Sequence, residues 1–221
     1  MAFGNGPSVV TNGLVLALDA GDRNSYPGSG TVWADLSGNN NSGSFVNGPT
    51  FNSANGGSIV FNGTNQYINC GNNSSIQITV GTISAWVKTT SPGSSFRSII
   101  AKQSAWGLFV ADNILVTYDW GAAATRTTGI NIADGTWKYT ALTFTQTVGT
   151  PSNNAIVYLN GTSVLTTTVQ HSNHGVNLQI AEANASQFLN GNIANAQVYN
   201  RVLSAVEIAQ NYNAQKSRFN L

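Results

Sequence analysis

Charged side chains are scarce in this sequence of 221 residues. Lys, Arg, Asp and Glu make up 8% of the chain, against about 25% in ordinary globular proteins. The formal net charge is only +1, so the protein has no long-range field. This excludes electrostatic capture of nucleic acid or of an acidic membrane surface. Asparagine supplies much of the polar character instead, with 29 residues.

Cysteine is almost absent. The one cysteine, Cys70, excludes an intramolecular disulfide and a zinc site built on cysteines. We expect a small buried thiol, with a catalytic thiol as the alternative. A chain of this length buries roughly 70% of its unfolded surface. We therefore expect it to fold without a disulfide and largely without a metal.

Long apolar runs are also missing. No stretch of about 18 apolar residues exists, which predicts that no segment spans or inserts into a membrane. Residues 1–10 lack the basic region and the apolar run of a secretory signal. We predict that residues 1–12, which contain Gly, Asn and Pro and are only weakly apolar, form an arm that is ordered only against a partner. Residues 13–221 are predicted to form a single domain.

Short segments rich in Val, Ile, Thr and aromatic residues follow one another at regular spacing, with turn signals between them. Segment 57–71 is predicted to be a hairpin closed at Asn62-Gly63, and Asn160-Gly161 is a second hairpin signal. Residues 76–80 are predicted to form a further strand. The pattern is typical of an all-β fold, an antiparallel two-sheet jelly-roll sandwich.

One helix is predicted near the C-terminus. Ser204 is followed three residues later by Glu207, a capping-box pair that satisfies two amide donors at a helix start. Val206, Ala209 and Tyr212 then share one helical stripe.

Several motifs resemble the laminin-G-like jelly rolls of the concanavalin A-like lectin/glucanase superfamily. The series begins with FNGTNQYI at 61–68 and continues in the family's order with TISAWVK, WKYTALTF, VYLNG and FLNGNIANAQVYNRVLSAVE. Upstream, LVLALDAGDRNSYPGSG and WADLSGNNNSG resemble the openings of such domains in bacteriophage virion proteins. The resemblance covers roughly residues 14–213. It implies the concanavalin A-like sandwich for residues 13–221, with a short C-terminal helix.

Catalytic signatures are weak. Glucanases that resemble this fold alternate two Glu and one Asp on a strand, but this chain has only Glu182 and Glu207 and no Glu-x-Asp-x-Glu. No Gly-x-Ser-x-Gly nucleophile motif occurs. The only histidines, His171 and His174, are predicted to be exposed loop residues, with a metal or ligand contact as the alternative. We predict that the protein is not an enzyme.

Oxygen-bearing side chains alternate at Asp35, Ser37 and Asn39, which makes them candidate calcium ligands. Many laminin-G-like domains carry calcium near this position, so the resemblance favours the site. Two departures from the family weaken it, because Asn62 and Ala194-Asn195 replace acidic residues. The alternative is a turn in which Asp35 caps its own loop.

Aromatic and planar polar side chains recur between residues 105 and 126. They suit a shallow site for a neutral glycan, because aromatic rings pack on sugar C–H groups and planar donors bind hydroxyls. The candidate glycan-binding residues are Trp106, Asn113, Tyr118, Trp120 and Arg126. The alternative is that Trp106 and Tyr118 are core residues.

The resemblance predicts a non-enzymatic bacteriophage virion surface protein, either a capsid decoration or a fibre-associated module. Its partners would be other virion proteins, together with glycans bound weakly on its exposed face. A stand-alone bacterial lectin-like module is the second hypothesis. An enzyme with an unrecognised site is the third.

Overall fold

The computed structural model describes residues 7–90, 95–145, 152–170 and 175–221. Strands dominate these ranges: β1 (Leu14–Asp19), β2 (Val32–Trp33), β3 (Gly43–Val46), β4 (Thr50–Asn52), β5 (Ser58–Asn62), β6 (Tyr67–Asn69), β7 (Val80–Thr89), β8 (Arg97–Lys102), β9 (Trp106–Ala111), β10 (Ile114–Asp119), β11 (Ala124–Asn131), β12 (Lys138–Thr145), β13 (Ala155–Leu159), β14 (Thr162–Thr167), β15 (Leu178–Ile180) and β16 (Asn190–Tyr199). The α-helix in these ranges is α1 (Ala205–Gln215), and short 3-10 helices lie at Ala54–Gly56, Ser74–Ile76 and Lys216–Phe219.

The strands form two antiparallel sheets. The first sheet has the order β14-β13-β12-β7-β16-β5-β4, and β1 also pairs with β16. The second sheet has the order β11-β10-β9-β8-β15-β6-β3-β2. The predicted all-β sandwich with one short C-terminal helix is confirmed. Within the described ranges, no helix has both the length and the apolar character needed to cross a bilayer.

The main core lies between the two sheets. Because side chains alternate across a strand, each strand sends every second residue into this layer. Trp33, Trp106 and Phe144 are almost completely buried there. The Trp106 and Phe144 rings, from opposite sheets, stack with centroids 6.0 Å apart. This layer contains most of the buried apolar residues, so apolar burial between the two sheets is the main source of stability.

A second apolar cluster covers the outer face of the first sheet. Trp86 on β7 stacks on Phe219 with ring centroids 4.2 Å apart, and its indole N–H donates to Gln215 Oε1 over 2.8 Å. The capping box at Ser204 and Glu207 is confirmed. The predicted stripe is wrong at Val206, which is 78% exposed. Tyr212 does pack on Trp86, and the fully buried helix residues are Ile208 and Asn211.

Ser8 and Val10 of the predicted arm contact this same helix. Val10 is buried, its N–H donates to Asn211 Oδ1 over 2.8 Å, and its carbonyl accepts from the Tyr199 hydroxyl over 3.0 Å. Gln210 donates to the carbonyl of Ser8. Residues 1–6 lie outside the described ranges. The expectation that the whole arm is ordered only against a partner is therefore wrong for residues 8–12, whereas the domain boundary after residue 12 stays a prediction.

The hairpin predicted at residues 57–71 is wrong. β5 pairs with β4 and β16 in the first sheet, whereas β6 pairs with β3 and β15 in the second. The turn after Asn62 is an arch between the sheets, in which Asn62 Oδ1 accepts from the N–H of Thr64 over 2.9 Å. The strand predicted at 76–80 is also wrong, since Ser74–Ile76 is a 3-10 helix and the next strand begins at Val80.

Candidate functional site

The outer face of the second sheet carries a third apolar cluster. On β9 and β10, Leu108 and Leu115 point into the main core, so the alternate residues Phe109, Val116 and Tyr118 point outward. Four rings of this cluster lie together, and we call them the outer aromatic cluster: Phe96, Phe109, Tyr118 and Trp120. The helix α1 lies over the opposite sheet, so three of these rings keep part of their surface exposed.

The four rings meet edge to face. Centroid distances are 5.6 Å for Phe96–Phe109, 5.8 Å for Phe96–Tyr118, 5.4 Å for Tyr118–Trp120 and 6.2 Å for Phe109–Trp120. Such arrangements are favoured by the ring quadrupoles and hold each ring in a defined orientation. Phe109 forms the floor and requires Gly107, because a Cβ there would lie 2.8 Å from its ring.

A first cavity of about 280 Å³ opens over these rings. Its remaining lining consists of the amide side chains of Gln103, Asn184 and Gln187. The described lining therefore contains no ionisable acid or base apart from the Tyr118 phenol. Rings below and amides at the rim give an apolar surface for C–H groups together with neutral donors and acceptors for hydroxyls.

The loop between β15 and β16 holds two of these amides, those of Asn184 and Gln187, in place. Asn184 and Ala185 have φ of 56° and 53°, and Glu182 Oε1 accepts from the N–H of Ala185 over 2.5 Å. The N–H of Gln187 donates to the carbonyl of Ala183 over 3.0 Å. The carbonyl of Gln187 accepts from a β8 amide over 2.9 Å. The loop is thus fixed to the sheet by its own backbone.

A second cavity of about 500 Å³ adjoins the first, and the two share Gln103 and Asn184. Its described lining contains one carboxyl group, that of Glu182, which is 2% exposed. Burial raises the pKa of Glu182, and the hydrogen bond from Ala185 partly offsets that rise. The remaining lining residues are neutral: Asn47, Asn65, Tyr67, Gln103, Val176, Gln179, Asn184, Ala185 and Phe188.

Two of the five predicted glycan-binding residues lie in the first cavity. Tyr118 and Trp120 are neighbours there. Trp106 is a wrong prediction, because its ring has 0% exposure and lies between the sheets. Asn113 occupies a tight turn with φ of 68° and lines neither cavity, so it is not part of this site.

Arg126 is also excluded from the cavity. It lies opposite Thr117 in the β10–β11 pairing, on the face of the sheet away from Tyr118. Its Nη2 contacts Asp119 Oδ2 at 2.7 Å, and its Nε donates to the carbonyl of Thr168 over 3.0 Å. Its donors are therefore used inside the protein, which corrects the prediction that it binds sugar hydroxyls.

Phe96, Phe109 and the three amides were not among the residues predicted from the sequence. Phe109 could have been found by counting, because it is three residues from Trp106 and so faces the other side of β9. Gln103, Asn184 and Gln187 gave no such signal. They come from a β8–β9 turn and a distant loop, and only the pairing of β15 with β8 brings that loop beside the turn.

The predicted calcium ligands do not fit a cation. Asp35 Oδ1 accepts from the N–H groups of Ala17 and Ser37, both at 2.9 Å. Asp35 Oδ2 accepts from Ser37 Oγ at 2.8 Å and from the N–H of Asn41 at 2.9 Å. Asn39 turns its amide nitrogen towards Ser37 Oγ, at 3.1 Å. Four donors thus occupy the carboxylate that a cation would need, and the capped turn is the better interpretation.

Cys70 and Glu207 are the other residues with reactive side chains, and each is held in a structural role. Cys70 is buried, and burial together with the charge of Asp35 raises the pKa of its thiol far above the ordinary value, so it is the expected buried thiol. Glu207 is held by Arg201 at 2.6 Å, which lowers its pKa to about 2. In the described residues, no three His, Cys, Asp or Glu side chains group as metal ligands. His171 and His174 lie outside the described residues.

Comparison with known proteins gives one family. Residues 62–209 match the model of the Laminin_G_3 family, described as concanavalin A-like lectin/glucanases superfamily. No curated protein matches.

Solved structures with the same fold are remote in sequence. The binding domain of Paraclostridial Mosquitocidal Protein 1 has 18% identity and a TM-score of 0.70, over 92% of this chain and 52% of that one. Trypanosoma rangeli sialidase in complex with sialic acid has 17% identity and a TM-score of 0.68, over 93% of this chain and 33% of that one. The third structure is domain 4 of AbnA, an extracellular arabinanase from Geobacillus stearothermophilus, in complex with arabinotriose. It has 15% identity and a TM-score of 0.67, over 90% of this chain and 98% of that one. The chain thus spans about half of the first protein, a third of the second and nearly all of the third.

Proposed function

The chain belongs to the concanavalin A-like lectin/glucanases superfamily, and from that premise we propose that it is a non-enzymatic glycan-binding domain whose ligand lies in the first cavity. The observation that carries the proposal is the outer aromatic cluster. Its Tyr118 and Trp120 rings stay partly exposed beside neutral amides, whereas the corresponding outer face of the first sheet is covered by α1. A surface of this kind matches a neutral sugar, with apolar C–H faces and hydroxyl edges.

The non-enzymatic part of the proposal is supported by the position of the two glutamates. Glu182 lies beside the second sheet, whereas Glu207 lies in the helix over the first sheet and is paired with Arg201. The two glutamates therefore do not form the closely spaced carboxyl pair that glycoside hydrolysis uses.

The affinity expected of such a site is low. Ligand efficiency limits a mono- or disaccharide to binding on the order of millimolar to high micromolar. Useful adhesion then requires many copies of the domain on one particle or surface. A virion surface carries many copies of its proteins, which supports our finer proposal that this domain is a capsid decoration or fibre-associated module of a bacteriophage. The proposal also rests on the motifs at residues 14–30 and 33–43, which resemble the openings of such domains in virion proteins. Other virion proteins and cell-surface or environmental glycans are its proposed partners.

A stand-alone bacterial lectin-like module is the second candidate. It is favoured by the likeness to a single domain of a secreted arabinanase, almost all of which the chain covers. Mass spectrometry of purified virions separates the two candidates, because only a virion protein copurifies with particles at a fixed ratio to the capsid protein.

Trp120→Ala tests the glycan site. Displayed multivalently on a glycan array, the wild-type protein is expected to bind neutral glycans, and the variant is expected to lose that signal. Its loss of stability is expected to be about 1–3 kcal/mol, from the two edge-to-face contacts of Trp120. Trp106→Phe is the matched control, because it alters a tryptophan on the opposite face of the sheet and should lower stability while leaving the array signal intact. A blank array for wild type, or full binding by Trp120→Ala, would contradict the proposal.

A further inference from the structure

The second cavity continues the first along the outer face of the second sheet. Gln103 and Asn184 line both, so a ligand that leaves the aromatic rings in this direction meets the second cavity next. Its volume of about 500 Å³ lies within the range of small-molecule sites. An oligosaccharide longer than one unit can therefore occupy both.

The lining of the second cavity is suited to hydroxyl groups. Asn47 and Asn65 adjoin β3 and β6, and Gln179 lies on β15, so neighbouring strands present three amides to one space. Tyr67 and Phe188 add aromatic surface, with ring centroids 6.3 Å apart. Amides donate and accept, so they bind hydroxyls in either sense.

Glu182 sets the charge of this cavity. One of its oxygens accepts from the N–H of Ala185, and no arginine or lysine in the described chain forms an ion pair with it. Lys102 donates to the carbonyl of Val176 over 2.6 Å. The Lys102 side chain is itself fully buried and lines neither cavity. The described lining of this cavity thus offers an acceptor and contains no cation.

We propose that the second cavity is a second sugar subsite in which Glu182 selects the class of saccharide, accepting neutral and amino sugars and rejecting acidic ones. The inference rests on the proposed glycan-binding function of the first cavity. An ionised carboxylate accepts from sugar hydroxyls and pairs with a sugar ammonium group. A sugar carboxylate would instead bring a second negative charge into a space whose described lining contains no cation, and such like-charge contacts are a common source of specificity.

The test compares three probes: oligosaccharides of neutral β-glucan, of chitosan and of polygalacturonate. The wild-type protein is expected to bind the neutral and the amino oligosaccharides and to bind the acidic one at least about tenfold more weakly. Glu182→Gln keeps an oxygen for the N–H of Ala185 and removes the charge. It is expected to raise the affinity for polygalacturonate relative to β-glucan by about tenfold and to remove any preference for chitosan. Asp112→Asn is the matched control, since it removes one charge from an exposed turn that lines neither cavity, and the ranking should not change.

Each failure has its own result. Equal binding of acidic and neutral oligosaccharides by wild type, or an unchanged ranking in Glu182→Gln, overturns the role of Glu182 while Trp120-dependent binding stands. Absence of binding to all three probes, or binding that survives Trp120→Ala, overturns the proposed function, and the second subsite falls with it.

Discussion

Replacement of Arg126 by alanine is expected to destabilise the protein and to leave glycan binding intact. Arg126 joins β11 to two other parts of the fold, through Asp119 at 2.7 Å and through the carbonyl of Thr168 at 3.0 Å. The Asp119 side chain is 1% exposed. Its Oδ1 also accepts from the N–H groups of Ala122 at 3.1 Å and Gln170 at 3.0 Å. The pair thus fastens the β10–β11 hairpin to the segment that follows β14.

The expected loss of stability depends on the Asp119 carboxylate that the substitution leaves unpaired. Arg126→Ala leaves a buried carboxylate without its counter-ion, which costs up to about 3–5 kcal/mol for a fully buried pair. The Arg126 side chain is 30% exposed, so solvent already screens part of the attraction, and we expect about 2–3 kcal/mol. Most domains have about 5–15 kcal/mol of stability, so the variant should still fold and can be assayed.

The pair also has a pH signature. Burial raises the pKa of Asp119, but the hydrogen bond from Arg126, the two N–H donors and the Arg126 charge outweigh burial, so the folded pKa lies below the ordinary 3.8. A carboxyl with a depressed folded pKa stabilises the protein above its unfolded pKa and loses that contribution as the pH falls through its folded value. Wild type should therefore lose more stability than Asp119→Asn between about pH 4 and the folded pKa. The difference between the two proteins removes the contributions of Asp134 and Glu207, whose pKa values are also lowered.

Urea unfolding followed by tryptophan fluorescence measures the stabilities, and the glycan array measures the binding. If Arg126→Ala abolishes the array signal with no change in unfolding midpoint, Arg126 contacts the ligand and the reasoning is refuted. A parallel loss of stability in wild type and Asp119→Asn on acidification would equally refute it.

Two further outcomes follow from buried polar groups. The melting temperature should be the same in excess calcium and in a chelator. Asp35→Ala removes the acceptor of four hydrogen bonds and should lower the free energy of unfolding in urea by about 2–4 kcal/mol. A calcium-dependent rise in melting temperature would contradict the capped turn. Asn211→Ala removes the fully buried amide that links Val10 to the Tyr199 hydroxyl. It should lower the free energy of unfolding by about 1–3 kcal/mol and speed hydrogen exchange at the Val10 amide. Unchanged exchange would contradict the docking of residues 8–12.

Local signals in the sequence were reliable where the structure they specify is itself local. The Ser204 and Glu207 pair starts α1 because both hydrogen bonds of the capping box form within four residues. Asn160 and Gly161 close a hairpin between β13 and β14 because both adopt positive φ, 50° and 81°. No distant contact is needed for either result.

The same kind of signal failed where a distant partner decides the outcome. Asn62-Gly63 does form a turn, but the chain enters it from one sheet and leaves it in the other, because β5 pairs with β16 and β6 pairs with β15. A turn motif specifies a reversal of direction and does not specify which strands pair. Val206 was placed on the buried stripe for a related reason, since the side of α1 that faces the sheet depends on how the helix docks.

Two of the seven residues that line the first cavity were among the predicted binding residues. Tyr118 and Trp120 are two residues apart and share a face, which the sequence could show. Trp106 and Arg126 were grouped with them by residue type, although their strand positions place them on the core side of the sheet. The amides of the loop at 182–189 depend on the pairing of β15 with β8, which no residue in the loop encodes.

The position of β16 affects how the chain must fold. This strand pairs with β7, β5 and β1, and Leu14 lies opposite Tyr199 across the sheet. On a ribosome, β1 and β5 are made long before the strand that joins them, so the edges that pair with β16 stay open until residues 190–199 are made. Pairings between such distant segments form slowly, and unpaired edges that wait for a late partner are where chains associate wrongly. Assembly of the first sheet around β16 therefore begins only once residues 190–199 are available to pair.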